Sequence, residues 1–66
     1  MEKIKCKQNL YKSTYRGFAF TKDKQYNIID EDKDFFYLRD NLGNIFNLSK
    51  EVKQPYYYIG NYFDLN

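Results

Sequence analysis

Histidine is absent from the 66 residues, and cysteine occurs once, at Cys6. Those two facts remove most side-chain catalysis at the outset. A Ser–His–Asp triad, a Cys–His pair and a structural zinc site all need imidazole or several thiolates. Ser13, Thr14, Thr21 and Ser49 therefore have no imidazole to act as their base. Carboxylates remain. Asp30, Glu31, Asp32 and Asp34 crowd into five positions, and Asp30-x-Asp32-x-Asp34 copies the first ligands of a calcium-binding EF-hand loop. The copy then fails: Phe35 stands where that loop needs glycine for its sharp turn, and Asn41 replaces the bidentate glutamate. The cluster reads instead as a solvated hairpin tip with no pocket to raise a carboxyl pKa. No GxxxxGK[ST] or GxGxxG phosphate loop is present. The chain reads as a non-enzyme, with no catalytic residue, no metal and no cofactor.

Two residue types are left with recognition chemistry. The stretch QPYYYIGNYF, residues 54–63, places five aromatic rings in ten positions. Tyrosine joins a large apolar body to a polar tip and loses little rotamer entropy on binding, which suits it to interfaces. Lysine is the second type. Residues 1–24 carry seven basic side chains against Glu2 and Asp23, a balance of +5, whereas residues 25–66 carry four against seven, a balance of −3. Such an asymmetry marks either a polyanion-facing side or a solvated strand face.

These side chains must be positioned by a very small domain. A chain of this length buries only about 60% of the surface it exposes when unfolded. Its aliphatic supply is five Ile, five Leu and one Val, so most of the fourteen aromatic rings have to serve as core. A single cysteine forms no internal disulfide, and Cys6 reads as a small buried hydrophobe. No apolar run approaches the ~20 residues of a membrane helix, and no signal peptide is visible. The expectation is one domain over residues 1–66, in the cytoplasm of a host bacterial cell and without membrane contact.

In KIKCKQNL, Ile4, Cys6 and Leu10 alternate with Lys3, Lys5, Lys7 and Asn9, the period of a half-buried strand. YKSTYRGFAFTKDK, residues 11–24, breaks the alternation and reads as an irregular loop folding back over the sheet. QYNIID and FFYLRD are strands flanking the charged DEDKD connection. DNLGN supplies Asn41, Gly43 and Asn44 for a tight turn, and IFNL is a short fourth strand. Ser49 is placed to cap one helical turn, SKEV, which Pro55 stops from extending. YYYIGNYF then reads as a last strand, with Tyr57, Ile59 and Phe63 inward and Tyr56, Tyr58 and Tyr62 outward; Gly60 marks a bulge or a close approach. Short strands with almost no helix predict an all-β fold, a small five-stranded barrel with one 3₁₀ or helical turn near residues 49–52.

The order of these elements resembles that of SH3-like barrels. NLYKS (9–13) is similar to the ALYDY opening of SH3 domains through Leu10 and Tyr11, and FAFTKDKQYNIID (18–30) looks like their LSFKKGDxLxII stretch. Phe35 and Phe36 fall where that family places its paired tryptophans. Thr21, Lys24, Tyr26 and Ile28, followed by Asp40 and Gly43, resemble a T-x-G-K-x-Y-x-V … D-x-x-G pattern of small SH3-like barrels from phages and prophages of low-GC Gram-positive bacteria, with Asp23 in place of the glycine. The resemblance covers roughly residues 9–52. It departs at the ligand shelf: tryptophan is absent, as are the family's proline and tyrosine at residues 49–52, which argues against proline-rich ligands.

The resemblance implies a non-catalytic protein-binding module, an accessory protein that docks on, and could inhibit, a host or defence protein. The candidate contact residues are Tyr15 and Arg16 on the long loop with Tyr56, Tyr58 and Tyr62 near the end. An oligomer using the same tyrosines is a related expectation. The alternative is a nucleic-acid-binding barrel in which Lys3, Lys5 and Lys7 track phosphates and Tyr11 stacks on a base.

Overall fold

A computed structural model describes residues 2–65. The fold is all-β. Among the described residues seven strands follow one another: β1 (Lys3–Cys6), β2 (Leu10–Lys12), β3 (Gly17–Phe20), β4 (Gln25–Glu31), β5 (Phe35–Arg39), β6 (Ile45–Ser49) and β7 (Phe63–Asp64). Five form one antiparallel sheet in the order β6-β5-β4-β1-β7, curled into a half-barrel. The other two, β2 and β3, form a separate hairpin. Residues 11–24, expected as an irregular loop, therefore contain that hairpin, and a 3₁₀ turn at Ser13–Tyr15 supplies its bend. The turn residues Ser13, Thr14 and Gly17 were legible; the strand character of Gly17–Phe20 was masked by their proximity.

Alternation sets the inside of β1 as expected: Ile4 and Cys6 are buried, as is Leu10, while Lys3, Lys5, Lys7 and Asn9 are exposed. The core is aromatic at its centre. Phe20 is fully buried and meets three rings edge-to-face, Tyr26 at 4.9 Å, Phe46 at 5.3 Å and Phe63 at 5.2 Å between centroids. One residue of the hairpin thus contacts β4, β6 and β7 at once. Edge-to-face pairs contribute about 0.5–1.5 kcal/mol each beyond their burial. Leu38, Leu48 and Ile59 complete the packing around this cluster.

Polar bonds fix the hairpin to the sheet. The β5–β6 turn carries Asn41, whose amide nitrogen Nδ2 donates to Phe18 O (3.0 Å) and Thr21 Oγ1 (2.9 Å) and whose Oδ1 accepts the Tyr26 hydroxyl (2.7 Å). Its main-chain N–H donates to Ala19 O (2.8 Å). Beside it, buried Asp40 accepts the Tyr15 hydroxyl at 2.6 Å and the N–H groups of Leu42 and Asn44, both at 3.0 Å. Gly43 takes a φ of 82° in this turn, a conformation open to glycine at no steric cost. Asp23 has a φ of 73°, and Asp is among the few non-glycine types that tolerate it.

Two expected elements differ. The SKEV turn does not form: Ser49 is the buried last residue of β6, and its hydroxyl bonds Glu51 O (2.5 Å) in a bend. The 3₁₀ turn of this region lies instead at Ile59–Asn61, inside the segment expected as one strand. Of YYYIGNYF only Phe63 pairs in β7, while Tyr58 bridges Ser49 in parallel. Ile59 and Phe63 are buried as expected, but Tyr57, expected inward with them, is exposed and rests against Phe46 and Tyr62. Gly60 is a close approach: a Cβ there would sit 2.5 Å from Cε2 of Tyr58, whose ring lies over it.

Phe20→Ala should cost about 3–5 kcal/mol in a urea melt, a large share of what a domain this small possesses. Asp23→Gly should hold or raise the melting temperature, because it relieves the left-handed backbone, whereas Asp23→Val should lower it.

Candidate functional site

The half-barrel is open along β6. That strand pairs with β5 on one side through the register Phe35↔Ser49 to Arg39↔Ile45. On its other side the only pairing among the described residues is at its end, where Ser49 N–H donates to Tyr57 O (2.7 Å) and Ser49 bridges Tyr58. Between this open edge and the β2–β3 hairpin runs a groove of about 380 Å³, lined by Lys12, Tyr15, Ile45, Phe46, Asn47, Pro55, Tyr56 and Tyr57. Its size falls at the lower end of ligand-binding clefts.

Each wall has a local cause. Lys12 ends β2, and its ammonium lies 5.1 Å from the Phe46 ring centre and 5.8 Å from that of Tyr15. Tyr15 is pinned by the hydrogen bond its hydroxyl donates to Asp40, and because ionisation would forfeit that bond the phenol is held above the usual tyrosine range. Tyr57 rests against Phe46 at 5.7 Å and Tyr62 at 6.0 Å between ring centres. Tyr56 stands over Phe35, 4.9 Å away and edge-to-face. Ile45, Tyr56 and Tyr57 are exposed, at 52%, 45% and 37%, so the groove offers apolar surface to solvent beside a cation and phenol rings.

Of the five residues expected at a protein contact, the groove brings together Tyr15 and Tyr56. Tyr58 and Tyr62 are half-buried and packed against the core; with Tyr56 and Tyr57 they line a smaller hollow of about 230 Å³ on the 52–62 segment. Arg16 is exposed on the hairpin bend at a left-handed φ of 53° and does not line the groove. Lys12, Ile45, Asn47, Pro55 and Tyr57 join the site without having been singled out. The outward positions of Ile45 and Asn47 were implicit in the alternation of IFNLS, whose Phe46 and Leu48 are buried.

The nucleic-acid set is not gathered in the same way. Lys3 and Lys5 stand on β1 opposite Asn27 and Gln25, and the Lys5 ammonium is 4.0 Å from the Asp23 carboxylate. Tyr11 lies on the other sheet, edge-to-face with Phe18 at 6.4 Å. Of the acidic cluster, Asp30 and Glu31 end β4, paired with Tyr37 and Phe36, and only Asp32 and Asp34 lie in the β4–β5 connection. Asp32 Oδ1 accepts the N–H groups of Asp34 (2.9 Å) and Phe35 (2.8 Å), and its Oδ2 accepts the Tyr37 hydroxyl (2.5 Å). These bonds stabilise the carboxylate and hold its pKa below the ordinary range, the Tyr37 hydroxyl contributing most. Among the described residues no group of three or more His, Cys, Asp and Glu side chains is arranged to hold a metal ion. Cys6 is buried, its Sγ 3.0 Å from Gln8 O, and burial pushes the thiol pKa up. No helix among the described residues is long and apolar enough to cross a membrane. Compared with known proteins, the chain matches no family, no curated sequence and no solved structure.

A depressed carboxyl pKa contributes stability that is present above the unfolded value and lost as pH falls through the folded one. Tyr37→Phe should therefore move the Asp32 titration upward, read from its carboxyl carbon by NMR, and reduce the stability that is lost on acidification through it. An unchanged titration would show that the two main-chain donors suffice.

Proposed function

We propose that the chain is a non-catalytic protein-binding module whose contact surface is the groove beside β6. The observation that carries this reading is the convergence of Tyr15, Tyr56, Tyr57 and exposed Ile45 from three separated parts of the sequence onto one concave surface. Tyrosine-rich, partly apolar concavities suit protein recognition because rigid rings bury large area at small entropic cost. The sequence resemblance to small phage-type SH3-like barrels directs the search toward a host or defence protein, for which this chain would act as an accessory or inhibitor.

The test compares partners. The wild type and the variant pair Ile45→Asp and Tyr56→Ser are immobilised and exposed to a lysate of a low-GC Gram-positive bacterium, after circular dichroism has matched their folds. A bound protein that drops at least tenfold on both variants is the expected result. Micromolar oligonucleotide binding at about 50 mM salt that falls steeply as salt rises, is abolished by replacing Lys3, Lys5 and Lys7, and is unaffected by the groove variants would overturn it in favour of polyanion recognition.

A further inference from the structure

The groove floor is a strand edge, and its hydrogen-bonding pattern is fixed by bonds at both ends. Asn44 O accepts Asp40 N–H (2.9 Å) and Lys50 N–H donates to Asp34 O (2.9 Å), so these even positions face the β5 side. Ser49 N–H points the opposite way, to Tyr57 O. In an antiparallel ladder the main-chain groups of successive residues face alternate sides. Ile45 and Asn47 therefore turn their N–H and C=O groups outward, into the groove. Among the described residues, no main-chain or side-chain group bonds to them there. The chain satisfies Ser49 with its own residues 57–58 and then leaves the next two outward positions uncovered.

We infer that the groove binds its partner by strand addition: an extended segment of another protein pairs with the main chain of Ile45 and Asn47, filling the open seam between β6 and the β2–β3 hairpin. The inference rests on the protein-binding reading above and adds the conformation and charge of what is bound. Main-chain pairing would supply affinity, and alternate side chains would meet the two walls. The lining they meet includes Lys12, Tyr15, Ile45, Phe46, Tyr56 and Tyr57. Lys12 is the one formal charge lining the groove, half-buried, with no carboxylate within 4.0 Å among the described residues. The ammonium groups that do approach carboxylates among the described residues, those of Lys5 and Lys50, lie outside this groove. An Asp or Glu at an inward-facing position of the incoming strand complements Lys12, with apolar residues on either side of it. An extended peptide is favoured over a polyproline helix because the open groups are a ladder edge, which a polyproline helix without N–H donors cannot match.

The test uses a random twelve-residue peptide library displayed on phage and panned on the full chain, with selected peptides then synthesised and titrated. The expected peptides alternate apolar side chains around one acidic residue and contain no proline in the paired stretch. Asn47→Pro is the decisive variant. It deletes an outward N–H that β5 does not use, at an exposed edge position that tolerates proline, and should weaken binding at least tenfold. Lys12→Ala should weaken acidic peptides about fivefold and leave their Asp→Asn or Glu→Gln counterparts unchanged. Should Asn47→Pro not fold, amide hydrogen exchange of the wild type replaces it: the Ile45 and Asn47 amides should slow at least tenfold when peptide is bound.

Peptides that lose affinity with Tyr56→Ser but not with Asn47→Pro, and leave those two amides unprotected, would overturn strand addition while keeping the groove. Selection of proline-rich peptides would do the same. A library that yields no groove-dependent peptide would count against both readings. A dimer in sedimentation at about 100 μM, broken by Asn47→Pro, would replace the partner strand with a second copy of the chain.

Discussion

The structure depends on the edge-to-face cluster around Phe20. A domain of this size has few aliphatic residues with which to exclude water from two sheets. Phe20 joins them because one ring, carried on the hairpin, meets Tyr26 of β4, Phe46 of β6 and Phe63 of β7. The T-shaped geometry matters: ring edges carry partial positive charge and ring faces partial negative charge, so each contact has a preferred orientation as well as a burial gain. An aliphatic side chain at position 20 would fill space without setting the angle between hairpin and sheet.

That angle also leaves the seam beside β6 open. The hairpin is drawn over the sheet by Phe20 and fastened at the β5–β6 turn by Asn41 and by the Tyr15–Asp40 hydrogen bond. Both fastenings lie on the turn preceding β6, so the hairpin's polar bonds to the sheet are made there; it meets the strand that follows through side chains, Phe20 and Lys12 on Phe46. Residues 54–58 close the far end of the edge through Ser49. What remains between these two closures is the short concave stretch of Ile45–Asn47, walled by rings that the core itself holds in place. Tyr15 and Tyr57 thus serve the packing with one part of the ring and face the groove with another.

Period-two alternation carried the sheet: Ile4 and Cys6 inward with Lys3 and Lys5 outward, Leu38 inward with Arg39 outward, Phe46 and Leu48 inward with Ile45 and Asn47 outward. It failed where the backbone leaves the extended form. In residues 56–63 the 3₁₀ turn at Ile59–Asn61 rotates successive side chains by roughly a third of a turn rather than a half, so one alternation could not assign the rings on both sides of it. Near residues 49–52, Ser49 has the chemistry of a helix cap. The hydroxyl instead found Glu51 O while the main chain completed β6 beside Phe35, and Tyr57 O accepts the Ser49 N–H, a partner that an isolated helical turn would not give.

The sequence alone determined the class of fold, the aromatic character of the core, the turn at residues 40–44 and the lack of any imidazole, since each follows from residue type or from local spacing. Only the tertiary structure decided which tyrosines share a surface, that β6 rather than β1 borders the groove, and that Lys12 stands beside Tyr15, Tyr57 and Ile45. Those are facts about strand order and the docking of one sheet on another. They are set by contacts between residues 25 or more positions apart, as in Tyr15 to Asp40 and Phe20 to Phe63, and local pattern carries no record of them.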